Sequence, residues 1–286
     1  MIEAGTGNPT PAALPPPGWY ADPWRVSRWR WWDGRAWSGY TDQLYVARTY
    51  SAAPPDNPDF TRPIRAGWTA ILGMVTGVAL SIAVYVVASL LGVSSGNPIL
   101  LLVAQLGLWT GLLGACFIAV RRHGTGRLAD LGLRIRAVDP ALGLGYGVAS
   151  LVGVGVIARV ITSLGINPKR SSFVGPVDRS TTTVVVLVLI IVIGAPIVEE
   201  LFFRGLLMSG FVDRFGPPLG IIFQAIVFGL VHISRADFNS DLGVFLLIAP
   251  VGAVLGVLRY GYKRLGPGIF THAVYNAIIV AFVLAR

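Results

Sequence analysis

Charged side chains are scarce in this sequence. Asp, Glu, Lys and Arg make up 13% of its 286 residues, whereas 54% are hydrophobic, and the mean hydropathy is +0.67. A soluble domain carries roughly 25% charged residues, because its surface must stay hydrated. Most of the surface of this chain therefore cannot face water, and the composition alone indicates a membrane protein.

The scarcity of cysteine and the absence of a basic block each exclude another class of protein. The single cysteine, Cys116, cannot form a disulfide framework within one chain, and we expect it to serve packing. The formal net charge is +9, but there is no basic block, because Arg and Lys lie in short connections between apolar runs. Nucleic acid is therefore not expected as a partner, since binding it requires a concentrated basic surface.

The first 65 residues are more polar than the rest of the chain. Residues 1–17 are rich in Pro, Ala and Gly and predict a disordered lead, and residues 43–65 predict a linker. Between them, residues 18–42 contain a dense aromatic patch in which Asp33-Gly34 is a strong hairpin signal. We expect this segment to form a small β-rich Trp module.

The Trp-rich module resembles a short Trp-rich domain of unknown function that occurs near membrane segments of actinobacterial proteins. One interpretation is a binding module for a peptide or for lipid headgroups, with an unknown partner. The other is that the Trp residues hold together a fold too small for an ordinary core, because Trp supplies the most buried area per residue.

From residue 66 onward the sequence is dominated by apolar runs long enough to cross the ~30 Å hydrocarbon core of a bilayer. Residues 66–286 therefore predict an all-α polytopic membrane protein with about seven transmembrane helices. Basic residues favour the connections on one side, which predicts a multi-pass protein of the cell membrane with a cytoplasmic N-terminus. The predicted helices are 66–92, 98–120, 141–164, 180–205, 217–234, 242–260 and 266–285.

Ionisable residues within the apolar runs cluster in the C-terminal third. Such residues are functional candidates, because a charge inside the membrane is costly. Glu199 and Glu200 are adjacent and point about 100° apart on a helix. Arg204 can pair with Glu200 at i, i+4 spacing, which leaves Glu199 as the freer carboxylate, suited to act as a base.

Three further polar residues follow on later runs. His232 lies near the end of the fifth run, and His272 and Asn276 share one face of the last helix at i, i+4 spacing. The fourth and fifth runs predict a helical hairpin in which Glu200 and His232 each lie roughly 21 Å from the turn, level with each other. His272 reaches this level only if its helix is tilted or begins deeper.

Two arrangements of these groups would hydrolyse a peptide bond. In one, Glu199 and His232 activate water as a general base, while His272 and Asn276 donate hydrogen bonds to the tetrahedral intermediate. In the other, Glu199, His232 and His272 hold zinc. The spacing does not choose between them, because the residues come from three separate helices. Each residue alone also fits a structural role, and only their joint occurrence indicates a site.

Three motifs occur in a fixed order: Glu-Glu-x-x-x-Arg at 199–204, Phe-x-x-x-His at 228–232 and His-x-x-x-Asn at 272–276. Together they closely resemble the motifs of the CAAX-protease and bacteriocin-processing (CPBP) family. That family includes the type II CAAX prenyl endopeptidases and lysostaphin-resistance-like proteins. The resemblance covers about residues 180–285, roughly a third of the chain.

The resemblance implies an intramembrane endopeptidase that acts on a membrane-associated peptide or protein. The family is often labelled a metalloprotease, and a metal-free glutamate mechanism is also argued for it. The roles it implies are Glu199 as catalytic acid/base, Glu200 and Arg204 in support, His232 on the water or a metal, and His272 and Asn276 as the oxyanion hole.

Two other functions remain open at this point. A non-catalytic membrane scaffold or immunity protein would use the same polar cluster for stability or partner binding. A proton-coupled transporter would use Glu199, Glu200 and His232 as a relay, although no inverted repeat in the sequence supports it.

Overall fold

The computed structural model describes residues 15–23, 29–41, 67–167, 180–233 and 237–285. The predicted linker at 43–65 and all but the last three residues of the predicted disordered lead at 1–17 lie outside these ranges. The chain divides into two compact units, Met1–Phe60 and Thr61–Arg286.

The smaller unit contains an antiparallel sheet of three strands in the order β1-β2-β3. The predicted hairpin at Asp33-Gly34 is confirmed: Asp33 Oδ1 accepts the backbone N–H groups of Arg35 and Ala36, each at 2.7 Å. Gly34 has a φ of +96°, which favours glycine at this turn. The strands are β1 (Gly18–Ala21), β2 (Trp29–Trp32) and β3 (Trp37–Thr41).

The larger unit is helical, as predicted, and the described residues form seven main helices. Six of them are long and apolar enough to cross a membrane, and the fifth is a shorter apolar helix. A short 3₁₀ turn, Leu128–Leu131, precedes α3. The helices are α1 (Gly67–Leu90), α2 (Pro98–His123), α3 (Asp139–Ser163), α4 (Thr181–Phe215), α5 (Pro217–Leu230), α6 (Phe238–Tyr262) and α7 (Gly266–Leu284).

Local sequence signals explain where several helices begin. Asn97, Ser180 and Asp237 each precede a helix, and the side-chain oxygen of each accepts a backbone N–H of the first turn. Between α4 and α5, Gly216 has a φ of +80° and Pro217 opens the next helix. This glycine–proline turn produces the predicted helical hairpin.

Helix α7 packs closely against α3 through glycine. A side chain on Gly143 would collide with Phe270, and one on Gly147 would lie 2.8 Å from a methyl group of Val274. Small residues at i, i+4 let two membrane helices approach each other closely. Between helices in lipid the attraction comes from dispersion rather than from the hydrophobic effect, so close approach is stabilising. This contact positions the helix that carries His272.

The first turn of α7 lies inside the protein. Arg264, just before it, bonds the buried Asp139 carboxylate on α3, with 2.6 Å between Nη2 and Oδ1. The backbone N–H of Leu265 donates to the Gly132 carbonyl at 2.8 Å, and a side chain on Gly266 would collide with Asp139. The helix therefore begins in the interior of the protein rather than at its surface.

We expect Gly143→Ala to destabilise the protein by about 1–3 kcal/mol, because the added methyl group meets the backbone of α7 and forces the two helices apart. Gly145→Ala is the matched control, since a side chain at Gly145 has no atom within 4 Å. Thermal unfolding of both variants in lipid nanodiscs checks this. Equal midpoints for the two variants would contradict the packing described here.

Candidate active site

Helix α4 is continuous but not uniformly α-helical. Two segments, Val188–Gly194 and Glu200–Leu207, are π-helical and flank an α-helical turn at Ala195–Glu199. A π-helix bonds each N–H to the carbonyl five residues back, and such segments are frequent at functional sites. The second segment begins at Glu200, so the change in helical winding falls within the acidic motif.

Pro196 accounts for a polar contact between α4 and α7. In the first π segment the N–H of Ala195 bonds to the carbonyl of Ile190, five residues back. The same pattern would pair the Ile191 carbonyl with an N–H on residue 196, and proline has none. Asn276 Nδ2 donates to that carbonyl at 2.8 Å. Pro196 thus leaves a backbone acceptor free, and Asn276 satisfies it.

Glu200 and Arg204 form the ion pair that their spacing predicts. The distance from Arg204 Nη1 to Glu200 Oε1 is 2.9 Å, and both side chains are 0% exposed. The Arg204 guanidinium lies 4.1 Å from the centre of the Phe228 ring on α5, and its Nη2 donates to the Gly252 carbonyl on α6 at 3.4 Å. One buried side chain therefore contacts three helices.

Gln224 is a buried polar residue that was not among the predicted site residues. Its Nε2 donates to the Gly252 carbonyl at 2.8 Å, so Gln224 and Arg204 share one acceptor. Gln224 is uncharged, and a search for ionisable residues within apolar runs therefore misses it. An amide in the middle of the run 217–234 is the signal that identifies it.

His272 lies between the two carboxylates of the acidic motif. Its Nδ1 is 3.4 Å from Glu200 Oε1, and its Nε2 is 3.9 Å from Glu199 Oε2. A side chain on Gly268, one turn earlier on α7, would lie 2.7 Å from Glu200 Oε2. The glycine thus makes room for the Glu200 carboxylate beside α7, and the deep start of this helix brings His272 to the level of the acidic pair.

The two carboxylates differ in exposure. The Glu199 side chain is 16% exposed, whereas that of Glu200 is fully buried. The oxygens Glu199 Oε2, Glu200 Oε1 and Glu200 Oε2 are all buried and accept no hydrogen bond from the described residues, although Glu200 Oε1 is in the ion pair with Arg204. The greater exposure of the Glu199 side chain is therefore the difference between the two carboxylates.

His232 lies just beyond the end of α5, which stops at Leu230 rather than at the predicted residue 234. Its backbone N–H bonds to the Gly229 carbonyl at 3.2 Å, and its Nδ1 is 2.6 Å from the Phe228 carbonyl. The side chain thus competes for the helical acceptor, which helps to end the helix. The Phe228 ring lies 4.6 Å from the His232 ring and 6.0 Å from the His272 ring.

The zinc arrangement requires Glu199, His232 and His272 to converge on one point. Within the parts of the chain that the structure describes, no three His, Cys, Asp or Glu side chains are grouped so that they could hold a metal ion. Glu199 Oε2 and His272 Nε2 are 3.9 Å apart, and the Phe228 ring contacts both the His232 and the His272 rings. The three residues therefore do not fit zinc in this geometry, and a zinc site stays a prediction.

A comparison with protein families places this geometry in context. Residues 181–278 match the family model described as type II CAAX prenyl endopeptidase Rce1-like. This segment is similar to the Rce1-like family. The match covers about a third of the chain and contains all six predicted site residues. It confirms the family resemblance of the three motifs and, with the apolar helices, supports a multi-pass membrane protease.

No curated protein and no solved structure matches the chain. Helices α1 to α3 and the Trp module lie outside the residues matched by the Rce1-like family model. The family assignment therefore concerns the part of the chain that carries the candidate site.

We expect Arg204→Met to lower the free energy of unfolding by about 3 kcal/mol, because it leaves the buried Glu200 carboxylate without its partner. The double variant Glu200→Gln/Arg204→Met should recover part of this loss. Arg214→Met, an exposed position on the same helix, is the control, with an expected change within about 0.5 kcal/mol. Denaturation in detergent micelles measures all three. Equal losses at both arginines would show that the ion pair is not important for stability.

Proposed function

We propose that this protein is an intramembrane endopeptidase that hydrolyses peptide bonds of a membrane-associated peptide or protein. The observation that supports it most directly is the position of His272 between two carboxylates of unequal exposure. Glu200, paired with Arg204, orients the imidazole, and the partly exposed Glu199 is left to react. The Rce1-like family match at residues 181–278 supports the same conclusion.

Glu199 is the proposed general base. Its carboxylate takes a proton from a water molecule as the water oxygen attacks the carbonyl carbon of the scissile bond. The 3.9 Å between Glu199 Oε2 and His272 Nε2 is too long for a direct hydrogen bond. Because Oε2 is buried, the attacking water is proposed to enter beside these two groups together with the substrate. The same carboxyl group then returns the proton to the leaving amine nitrogen when the C–N bond breaks.

Helix α7 supplies the proposed donors to the oxyanion. A primary amide has two N–H groups, and the Ile191 carbonyl accepts one from Asn276, so the second can donate to substrate. The Ile191 contact also fixes the amide in place, which reduces the reorganisation required when charge develops on the carbonyl oxygen. His272 Nε2 is the other donor when it carries a proton. His232, across the Phe228 ring, is proposed to polarise the water.

The proposed substrate approaches from the membrane, because Glu199 lies on an apolar helix of span length. A peptide leader or the tail of a membrane protein has the required chemistry. We retain the cell membrane as the proposed location, with the N-terminus in the cytoplasm. A non-catalytic scaffold or immunity protein would need Glu200 and Arg204 for stability, but it gives no reason for a second carboxylate, Glu199, beside His272.

We expect Glu199→Gln to reduce peptide cleavage by at least about 100-fold, the usual loss for a general base, while the unfolding midpoint stays near that of the wild type. The assay uses purified protein in nanodiscs with a library of membrane-tethered peptides and mass spectrometry of the products. Asp213→Asn, an exposed acid on the same helix, is the control and should retain full activity.

Two outcomes of this assay contradict the proposal. Wild-type rates in Glu199→Gln would remove this carboxylate from the chemistry. A folded wild-type protein that cleaves no member of the library, yet keeps its cellular phenotype after Glu199→Gln, would favour the scaffold.

We expect cleavage to persist in the presence of a chelator, because Glu199, His232 and His272 are not grouped as metal ligands. Elemental analysis of the purified protein should correspondingly find zinc well below one equivalent per chain. The zinc arrangement makes the opposite prediction: stoichiometric zinc, loss of cleavage on its removal, and recovery when zinc is added back. A matched measurement on Glu199→Gln distinguishes zinc bound at the site from zinc bound elsewhere.

A further inference from the structure

The small sheet buries charge and exposes indole rings. On one face, Arg30 and Asp22 form an ion pair of 3.0 Å between Nε and Oδ1, with both side chains 0% exposed. On the other face, Trp19 pairs directly with Trp31 on the neighbouring strand, and their ring centres lie 5.7 Å apart. Trp19 remains 49% exposed. This distribution is the reverse of that expected for a small soluble domain.

The exposed rings are not required by the core of the sheet. Trp32 is buried at 4% exposure, packs edge-on against Trp37 with 5.2 Å between ring centres, and donates from Nε1 to the Pro15 carbonyl. Of the two interpretations of the Trp-rich sequence, the minimal core accounts for Trp32 and Trp37. It does not account for Trp19 and Trp29, which are 49% and 42% exposed, or for the half-buried Trp31; all three lie on the opposite face.

The tether of the module restricts which surface these rings can meet. Only 25 residues, 42–66, separate the end of β3 from the start of α1, the first candidate membrane span. Even fully extended, a segment of that length reaches no more than roughly 90 Å. The module can therefore move no further than this from the end of the first candidate span, which keeps its effective concentration at a bilayer surface high.

Indole is suited to that surface. Its apolar ring and single N–H donor favour the boundary between hydrocarbon and water, which is why Trp is enriched at membrane interfaces. Residues 18–42 contain four Arg and three Asp, so their net charge is only +1. Attraction to anionic lipid is correspondingly weak, and the indole rings are the main source of affinity.

We propose that the face formed by Trp19, Trp29 and Trp31, with Ala21 beside them, inserts into the headgroup region of the bilayer that the same chain spans. We call it the indole face. The occupant is phospholipid, bound through the interfacial chemistry of indole rather than through lipid charge. This proposal does not depend on peptidase activity.

The test uses the full chain with Cys116→Ala and one new cysteine, Ala21→Cys, labelled with an environment-sensitive fluorophore. Ala21 is exposed and, by register, lies on the indole face. The protein is reconstituted at one copy per nanodisc in phosphatidylcholine, with a fraction of lipids carrying a nitroxide on the headgroup. We expect the nitroxide lipid to quench most of the fluorescence of the label at position 21.

Two comparisons make the test specific. Arg35→Cys, labelled in the exposed hairpin turn, should be quenched much less. Trp19→Ser/Trp29→Ser/Trp31→Ser should abolish quenching at position 21, and it leaves the side chains of the buried face, Arg30 and Trp32, in place. Quenching in anionic lipid should match that in phosphatidylcholine.

Three results would overturn the proposal. The first is a label at position 21 that nitroxide lipid does not quench. The second is quenching confined to anionic lipid. The third is a blue shift of the label without lipid quenching, which would indicate that another protein surface covers the indole face.

Discussion

The ion pair between Glu200 and Arg204 is the constraint on which the helical unit depends. A carboxylate and a guanidinium buried in apolar surroundings are stable only while they remain together and hydrogen-bonded. The Arg204 guanidinium lies over the Phe228 ring on α5, and its Nη2 donates to the Gly252 carbonyl on α6. The pair therefore fixes the relative positions of three helices, and Glu200 in turn lies against the imidazole of His272 on a fourth.

Backbone chemistry contributes to the site as much as side chains do. Proline at position 196 removes one N–H in a π-helical stretch, and the freed Ile191 carbonyl becomes the partner that holds Asn276. A polar group without a partner is especially costly inside a membrane, so such an acceptor has to be satisfied by a neighbouring helix. The proline that removes one backbone hydrogen bond from α4 thus provides the contact that links α4 to α7.

Much of this arrangement is predictable from the sequence, because its signals are local. The lengths of the apolar runs predict the seven helices, and Gly216-Pro217 predicts the helical hairpin. The i, i+4 spacing predicts the ion pair of Glu200 and Arg204. The deep start of α7 is not predictable in this way, because it depends on Asp139, which lies 125 residues before Arg264 in the chain. The π segments depend on packing between helices, and Gln224 carries no charge to distinguish it.

The buried start of α7 has a consequence for biosynthesis. Asp139 and the acidic pair emerge from the ribosome long before Arg264 and His272, so the imidazole joins the carboxylates only when the final helix docks against α3. Until then the nascent chain contains two carboxylates without the groups that complete the site. The order of synthesis therefore delays the assembly of the candidate site until the preceding helices have been synthesised.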